Sequence, residues 1–269
     1  MPGPARTDDP APAPAAPGFP APGRGVPEPA VRDAVEFLRA HSREPVGVPD
    51  VADAVGYSAP HFSRLFAHGT GCPPARYLAA LRFDDAKRLL LGGCGVTEAA
   101  HTVGFTSHGT FTRRFGLEVG VAPSSLPRLA DRLADTTLRP FARPAAHVLG
   151  TVRVRPVLGD ALRRALGPRP QLWLGMFPGP APAGVPLCGM LHDGVDDVVL
   201  PVPAGAPWLL STVVPGAADP QEHLAPRAPV VAVHGAPLTG DAAVQLHYRP
   251  ARSWNLPILT ALAALSPQC

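Results

Sequence analysis

The sequence predicts a multidomain α + β chain: an all-α domain built on a doubled helix-turn-helix, followed by a small all-β sandwich. Three observations carry this expectation. The stretch Val51-Ala52-x-x-Val55-Gly56-Tyr57-Ser58…Phe62-x-Arg64-x-Phe66 returns as Ala99-Ala100-x-x-Val103-Gly104-Phe105-Thr106…Phe111-x-Arg113-x-Phe115, with one extra residue before the second helix of the repeat. Apolar residues recur at helical spacing up to about Leu133, and from about Val148 the period shifts from 3.6 towards 2. Prolines and glycines break the second half into short apolar runs, as expected of strands joined by turns.

Taken in order, residues 1–29 are Pro/Ala/Gly-rich without any period, and a disordered tail is expected there. The helical domain is placed at 30–130. Val31, Val35 and Leu38 mark the face of a first helix, with Glu36 and Arg39 opposite. Helices are expected over about Val48 to Val55 and Ala59 to His68, with Gly56 supplying the turn and Ser58 the N-cap. Pro73 and Pro74 open a long connecting helix that ends at Gly92-Gly93. The second repeat follows, with Gly104 at its turn and Thr106 as expected N-cap, and then a short helix from near Ser124 towards Leu133. Residues 131–147 read as a linker, with Leu138 to Pro144 its Pro-rich part. The β-domain is placed at 148–269. Its strands are expected at Thr151–Val154, Gln171–Phe177, Leu187–Leu191, Val198–Val202, Trp208–Val214, Val230–Val233 and Val244–Tyr248, with a helical pattern over Asp160–Leu166.

Composition narrows the function classes. The chain of 269 residues is long enough for two cores, and 24 Lys+Arg against 21 Asp+Glu leave a net charge of +3, too small to imply nucleic acid by itself. Lys87 is the only lysine, so the cations are almost all forked arginines, a usage that owes more to codon bias than to function. Cys72, Cys94, Cys188 and Cys269 are scattered, without Cys-x-x-Cys pairs or histidines at metal spacing, so neither a zinc site nor a disulfide framework is expected. No secretory leader and no run of about 18 apolar residues is present, so a cytoplasmic protein without membrane contact is expected.

The helical domain resembles the AraC/XylS family of DNA-binding domains over residues 31–129. The resemblance rests on both repeats, on the connector Tyr77-Leu-x-x-Leu81-Arg82-x-x-x-Ala86-x-x-Leu89-Leu90, and on the closing Phe115-Gly-x-x-x-Gly-Val-x-Pro123. It implies seven helices and two recognition helices held roughly 34 Å apart, so that one molecule enters two successive major grooves of double-stranded operator DNA. By the same resemblance, the positions facing bases are Pro60, Ser63 and Arg64 in the first recognition helix and Gly109, Thr110 and Arg113 in the second. Arg64 and Arg113 carry the fork that grips guanine O6 and N7, Ser63 and Thr110 can bond several bases, and Pro60 and Gly109 replace side chains that commonly read bases. Ser58, Arg82, Lys87, Arg88, Thr106 and Arg114 are the phosphate candidates. Phe62, Phe66, Phe111 and Phe115 fall on the opposite face and are expected in the core. The Tyr often found shortly after the last Pro of the family pattern is replaced by Leu126 or its neighbours.

The second domain resembles the carboxypeptidase-regulatory, transthyretin-like sandwich in its strand rhythm and in a Val-Pro-x-Gly turn before an apolar strand. That resemblance implies a binding or structural module. Trp173, Phe177 and Trp208 are expected in its core. His192, Asp193, Asp196, Asp197, His223, His234 and His247 offer acid–base groups, and Ser211 and Cys188 nucleophiles, but none shows a nucleophile-elbow or metal spacing, so no enzyme is expected. The Pro-Cys-His-Arg pattern of DNA-repair methyltransferases is absent around Cys188 and Cys269. The expectation is a sequence-specific transcriptional regulator without a cofactor. Operator DNA is its partner, RNA polymerase and a second copy of the chain are further candidates, and the identity of any small-molecule effector is open. The alternative is a protein-binding adaptor with vestigial DNA binding. Residues 1–147 are expected to bind DNA without the β-domain.

Overall fold

The computed structural model describes residues 28–135, 138–216 and 218–266. Most of the tail expected at residues 1–29, and Cys269, lie outside the described residues; Pro29 already forms the first position of a helix, where its missing N–H costs nothing. Seven α-helices come first: α1 (Pro29–Ala40), α2 (Val48–Ala54), α3 (Ala59–Thr70), α4 (Pro74–Leu91), α5 (Val96–Thr102), α6 (His108–Val119) and α7 (Leu126–Ala134), with a 3-10 turn at Pro123–Ser125 before the last. Among the described residues no helix is long and apolar enough to cross a membrane.

Two apolar clusters organise these helices, and α4 serves both. Val31, Val35 and Leu38 of α1 meet Phe62 and Phe66 of α3 and Tyr77 of α4 in the first cluster, where the Phe66 and Tyr77 rings stand edge to face at 5.3 Å. In the second, Phe83 of α4 lies among Phe105, Phe111 and Phe115, with ring centroids 5.3, 6.2 and 6.0 Å away. Tyr77 and Phe83, less than two turns apart, thus anchor different helix pairs to one connecting helix.

The β-rich region follows: β1 (Phe141–Arg143), β2 (Val148–Val157), α8 (Asp160–Leu166), β3 (Gln171–Phe177), β4 (Cys188–Asp193), β5 (Val198–Pro203), β6 (Trp208–Val214), α9 (Pro220–Leu224), β7 (Val230–Val233), β8 (Ala242–His247) and β9 (Arg249–Pro250). A six-stranded sheet has the order β1-β4-β3-β6-β7-β9, and a three-stranded sheet the order β5-β2-β8, with β2 and β8 parallel. The seven expected strands are all present, within a few residues of their expected bounds. Period-2 alternation turns Leu172, Leu174 and Met176 of β3 towards Val152 and Val154 of β2, forming a core between the sheets. The intervening Trp173, aligned with Leu191 of β4 and Thr212 of β6, points the other way, towards the helices.

That second face changes the expected boundary. The stretch expected to be a linker contributes Leu138, which is buried, and β1, whose Phe141 ring packs edge-on against Trp173 at 5.7 Å. Trp173, Leu191 and Val214 share one apolar cluster with Phe83, Phe111 and Leu129 of the helical region. The segment after β9 closes the same cluster: Ile258, Leu259 and the 3-10 turn Leu262–Leu265 pack between helices and sheet. Each half therefore encloses a core of its own and contributes to a third that the two share.

Candidate nucleic-acid interface

The pairs α2–α3 and α5–α6 match in length, seven residues followed by twelve in each case. Both turns pass through a glycine in the left-handed region, Gly56 at φ +76 and Gly104 at φ +84, where a side chain is disfavoured. Around Gly104 space is short as well: a Cβ there would stand 3.1 Å from the Arg43 carbonyl oxygen and 3.3 Å from the Arg82 guanidinium.

The extra residue of the second copy lies in its loop. The N-cap of α6 is Ser107, whose Oγ accepts from Thr110 N at 3.3 Å, and not Thr106 as expected. Ser58 does occupy the N-cap of α3, although its hydroxyl caps no backbone N–H. Counted from the caps, Pro60 corresponds to Gly109, His61 to Thr110, Ser63 to Thr112 and Arg64 to Arg113. Thr110 is thus the counterpart of His61, and the partner of Ser63 is Thr112, which is not among the expected base-facing positions.

Pro60, Arg64, Gly109, Thr110 and Arg113 are exposed, on the side of α3 and α6 away from the fully buried Phe62, Phe66, Phe111 and Phe115. Among the described residues, no hydrogen bond or ion pair engages the guanidinium of Arg64 or Arg113. Ser63 is half-buried, and its Oγ donates to the Ala59 carbonyl at 2.8 Å, which leaves its lone pairs for a ligand. Two further groups join this surface. His61 is exposed and stacks on Tyr57 at 5.2 Å, and His108 at the start of α6 lies within 3.4 Å of Thr97 and 3.5 Å of Thr112. Their signal is positional: both sit in the first turn of the second helix of a helix-turn-helix pair.

The phosphate candidates divide. Ser58 and Thr106 are exposed, and Arg114 is half-buried with its guanidinium 5.8 Å over the Phe83 ring. Arg82 is instead a strut: its Nε donates to the Ser42 carbonyl and its Nη2 to the Glu44 carbonyl, both at 2.7 Å, fixing the α1–α2 loop. Arg88 pairs with Asp84 at 2.9 Å and reaches the Ala225 and Pro226 carbonyls at 3.3 Å, tying α4 to the end of α9. Lys87 is fully buried, and its Nζ donates to the Ile258 carbonyl at 2.7 Å. A phosphate contact does not fit Lys87, because no solvent-facing atom remains to make it.

In the β-rich region, the nucleophile candidates are buried and structurally engaged. Ser211 Oγ donates to the Trp173 carbonyl and bonds Tyr248, and burial pushes the Cys188 thiol up to about 11. His223, buried and thereby held below the ordinary histidine range, bonds the Trp173 ring N–H. Of the aromatics expected in the core, Trp173 and Phe177 are buried and Trp208 is half-exposed. Among the described residues no three His, Cys, Asp or Glu side chains gather into a metal-holding group.

Known proteins resemble this chain over the helical part. A family model described as "Helix-turn-helix domain" matches residues 51–128, so this stretch is a helix-turn-helix domain by sequence as well as by its glycine turns. The probable thc operon regulatory protein of Rhodococcus erythropolis is 37% identical over 98 residues, which make up 35% of this chain and 30% of that protein. The transcriptional regulator Rob of Salmonella typhimurium is 30% identical over 136 residues, 48% of this chain and 46% of its own length. The chain thus spans less than half the length of these curated relatives. Among solved structures, the DNA-binding domain of the global transcriptional factor AdpA, in complex with a target DNA, is 27% identical, with 40% of this chain and 96% of that chain covered at a TM-score of 0.37.

Proposed function

We propose that this chain is a sequence-specific DNA-binding transcriptional regulator, in which α3 and α6 enter successive major grooves as the recognition helices of two helix-turn-helix units. One observation carries the reading. Arg64 and Arg113 stand at the same place on two helices of equal length, six residues past their N-caps, exposed and without a partner among the described residues, each helix backed by two buried phenylalanines. A forked donor held at a fixed register by a packed helix is what bidentate guanine recognition needs. His61, Thr110 and Thr112 extend the same surfaces with groups that bond several bases, and Arg114 is the remaining arginine placed to meet phosphate.

The relatives are named as regulators of transcription, and their similarity to this chain covers the segment that carries these residues. The β-rich region is then the regulatory half, and contact with RNA polymerase belongs to the same proposal. The test is selection of duplexes from a randomised library by the full chain. Enrichment of two half-sites about 10 base pairs apart is the expected outcome. A library that stays random after repeated rounds rules the reading out.

A further inference from the structure

We propose that the cavity between the helix-facing side of the six-stranded sheet and the segment 249–265 is a binding site for a small, uncharged, largely apolar molecule. It is walled by Trp173, Phe177, Leu210 and Val231 from the sheet and by Leu256 and Ile258 from the segment. Its interior leaves about 80 Å³ of free volume, several times what a single water needs. Exposed Val233 and half-exposed Ala251 and Asn255 form the mouth.

The chemistry of the walls selects the ligand. None of the described residues lining the cavity is charged, so an ionised ligand would lose its hydration without a counter-charge. The hydroxyls are already committed: Thr212 Oγ1 donates to the Val230 carbonyl at 2.9 Å, Thr260 Oγ1 to the Gly184 carbonyl at 2.8 Å, and Ser211 to the Trp173 carbonyl. The Trp173 ring N–H is taken by His223, which leaves the indole presenting only its apolar surface. Asn255 is the exception. Its Oδ1 accepts from Arg252 N at 2.8 Å, and its amide NH₂ is left to bond one acceptor on the ligand.

The roof of this cavity is also a strap across the helices. Ser253 accepts from Arg39 of α1 at 2.9 Å and from Tyr77 of α4 at 3.1 Å, and Ile258 accepts from Lys87 of α4 at 2.7 Å. Asn255 and Ile258 therefore turn side chains into the cavity and carbonyls towards the helix that joins the two helix pairs. A ligand that orders the strap also fixes α4 between those pairs. Its consequence for DNA binding rests on the proposed function, whereas the binding itself does not.

The test uses the full chain and the small uncharged aromatic indole, titrated in a calorimeter. Saturable binding of one probe per chain is expected, with slowed amide exchange over residues 253–262 in its presence. Val233→Trp, which fills the mouth, should weaken binding at least tenfold at unchanged melting temperature, while Val199→Ser on the other sheet should leave it unaltered. If Val233→Trp is unstable, Ala251→Leu narrows the same mouth from the strap side and should weaken binding likewise. Non-saturable binding, unchanged affinity in a folded mouth variant, or unaltered exchange of the strap overturns the proposal. So does a tenfold gain in probe affinity on removal of residues 1–27, because the proline-rich segment would then be the occupant.

Discussion

Lys87, near the C-terminal end of the helix that separates the two helix pairs, donates a 2.7 Å hydrogen bond to the carbonyl of Ile258, 171 residues further along the chain. The bond joins the core of the helical region to the strap that closes the sheet. Burial holds the ammonium group well below its ordinary value of 10.5, at about 8, and Asp84 opposes that shift only in part while itself bonded to Arg88. A buried charge with one neutral acceptor is costly to keep, and the cost can be read as a function of pH.

The unfolded chain keeps the Lys87 proton until about 10.5, whereas the folded protein releases it near 8. Between these values the unfolded state binds more protons, so stability rises with pH across the window; below 8 the penalty of the buried charge is fully present. Lys87→Met removes the penalty. The stability of the variant relative to wild type should therefore be most favourable below pH 8 and should fall as pH climbs through the window. Urea unfolding of both proteins on either side of it decides the point. The raised values of Tyr77, Tyr248, Cys72 and Cys188 cancel in the difference because both proteins share them. A difference independent of pH would mean that Lys87 is not buried with its charge.

The shared core makes a second expectation. Leu126, Leu129 and Leu133 of α7 lie in one cluster with Leu224 of α9 and Leu262 of the strap. A fragment ending at residue 147 exposes this face, so it should unfold at lower denaturant than the helical signal of the full chain. Circular dichroism during urea titration measures it. Equal midpoints would show that the β-rich region contributes nothing to the stability of the helices.

Much of this was legible from residue spacing, and the failures have physical causes. The strands were readable because valine- and leucine-rich runs alternate between Pro and Gly breaks, as at Gln171–Phe177 and Trp208–Val214. β1 and the strap were not, because Phe141, Ile258 and Leu262 take their order from distant contacts with Trp173 and α4, which no local period records. Lys87 misled through its charge alone. Phe83, Lys87 and Leu90 fall at i, i+4 and i+7 on one helical face, and that spacing placed the lysine in the core. At the second repeat, Thr106 and Ser107 are both good caps by type, so residue identity alone does not choose between them.

Arg82 separates a strut from a DNA contact. Its two bonds to the Ser42 and Glu44 carbonyls hold the α1–α2 loop, and partial burial together with the nearby Arg114 charge lowers its pKa. Arg82→Ala should cost about 1–3 kcal/mol of stability, the usual range for charge-assisted bonds left unmade. Thermal unfolding reads the loss. On DNA the same variant should keep the salt dependence of wild type, since no phosphate contact is removed, and a shallower salt slope would return Arg82 to the interface.

The two turn glycines should respond unequally. Gly56→Ala meets no atom within 4 Å and bears only the left-handed backbone, about 1–2 kcal/mol. Gly104→Ala adds a Cβ at 3.1 Å from the Arg43 carbonyl oxygen and displaces the Arg82 guanidinium. The larger loss of melting temperature is expected at Gly104. Equal losses would indicate that the Arg82 strut yields freely.

Arg64 and Arg113 carry the most discriminating expectation, because the same substitution is made at matched places on α3 and α6. Each is exposed, and the helix behind it is packed through buried phenylalanines, so removing the side chain leaves the fold intact. Arg64→Ala or Arg113→Ala should cost about 1–3 kcal/mol at a selected site and relax discrimination at one or two base pairs of one half-site only. Lysine at either place keeps the charge but loses the fork, so it should restore affinity more than discrimination. Arg114→Ala should behave differently. Its guanidinium already lies over Phe83, and a phosphate contact from there would be lost equally for all sequences, lowering the salt slope by about one unit. Binding to a randomised library at several salt concentrations distinguishes these patterns. A uniform loss of affinity in Arg64→Ala and Arg113→Ala, with preference unchanged, would place both arginines on the phosphate backbone and leave base readout to His61, Thr110 and Thr112.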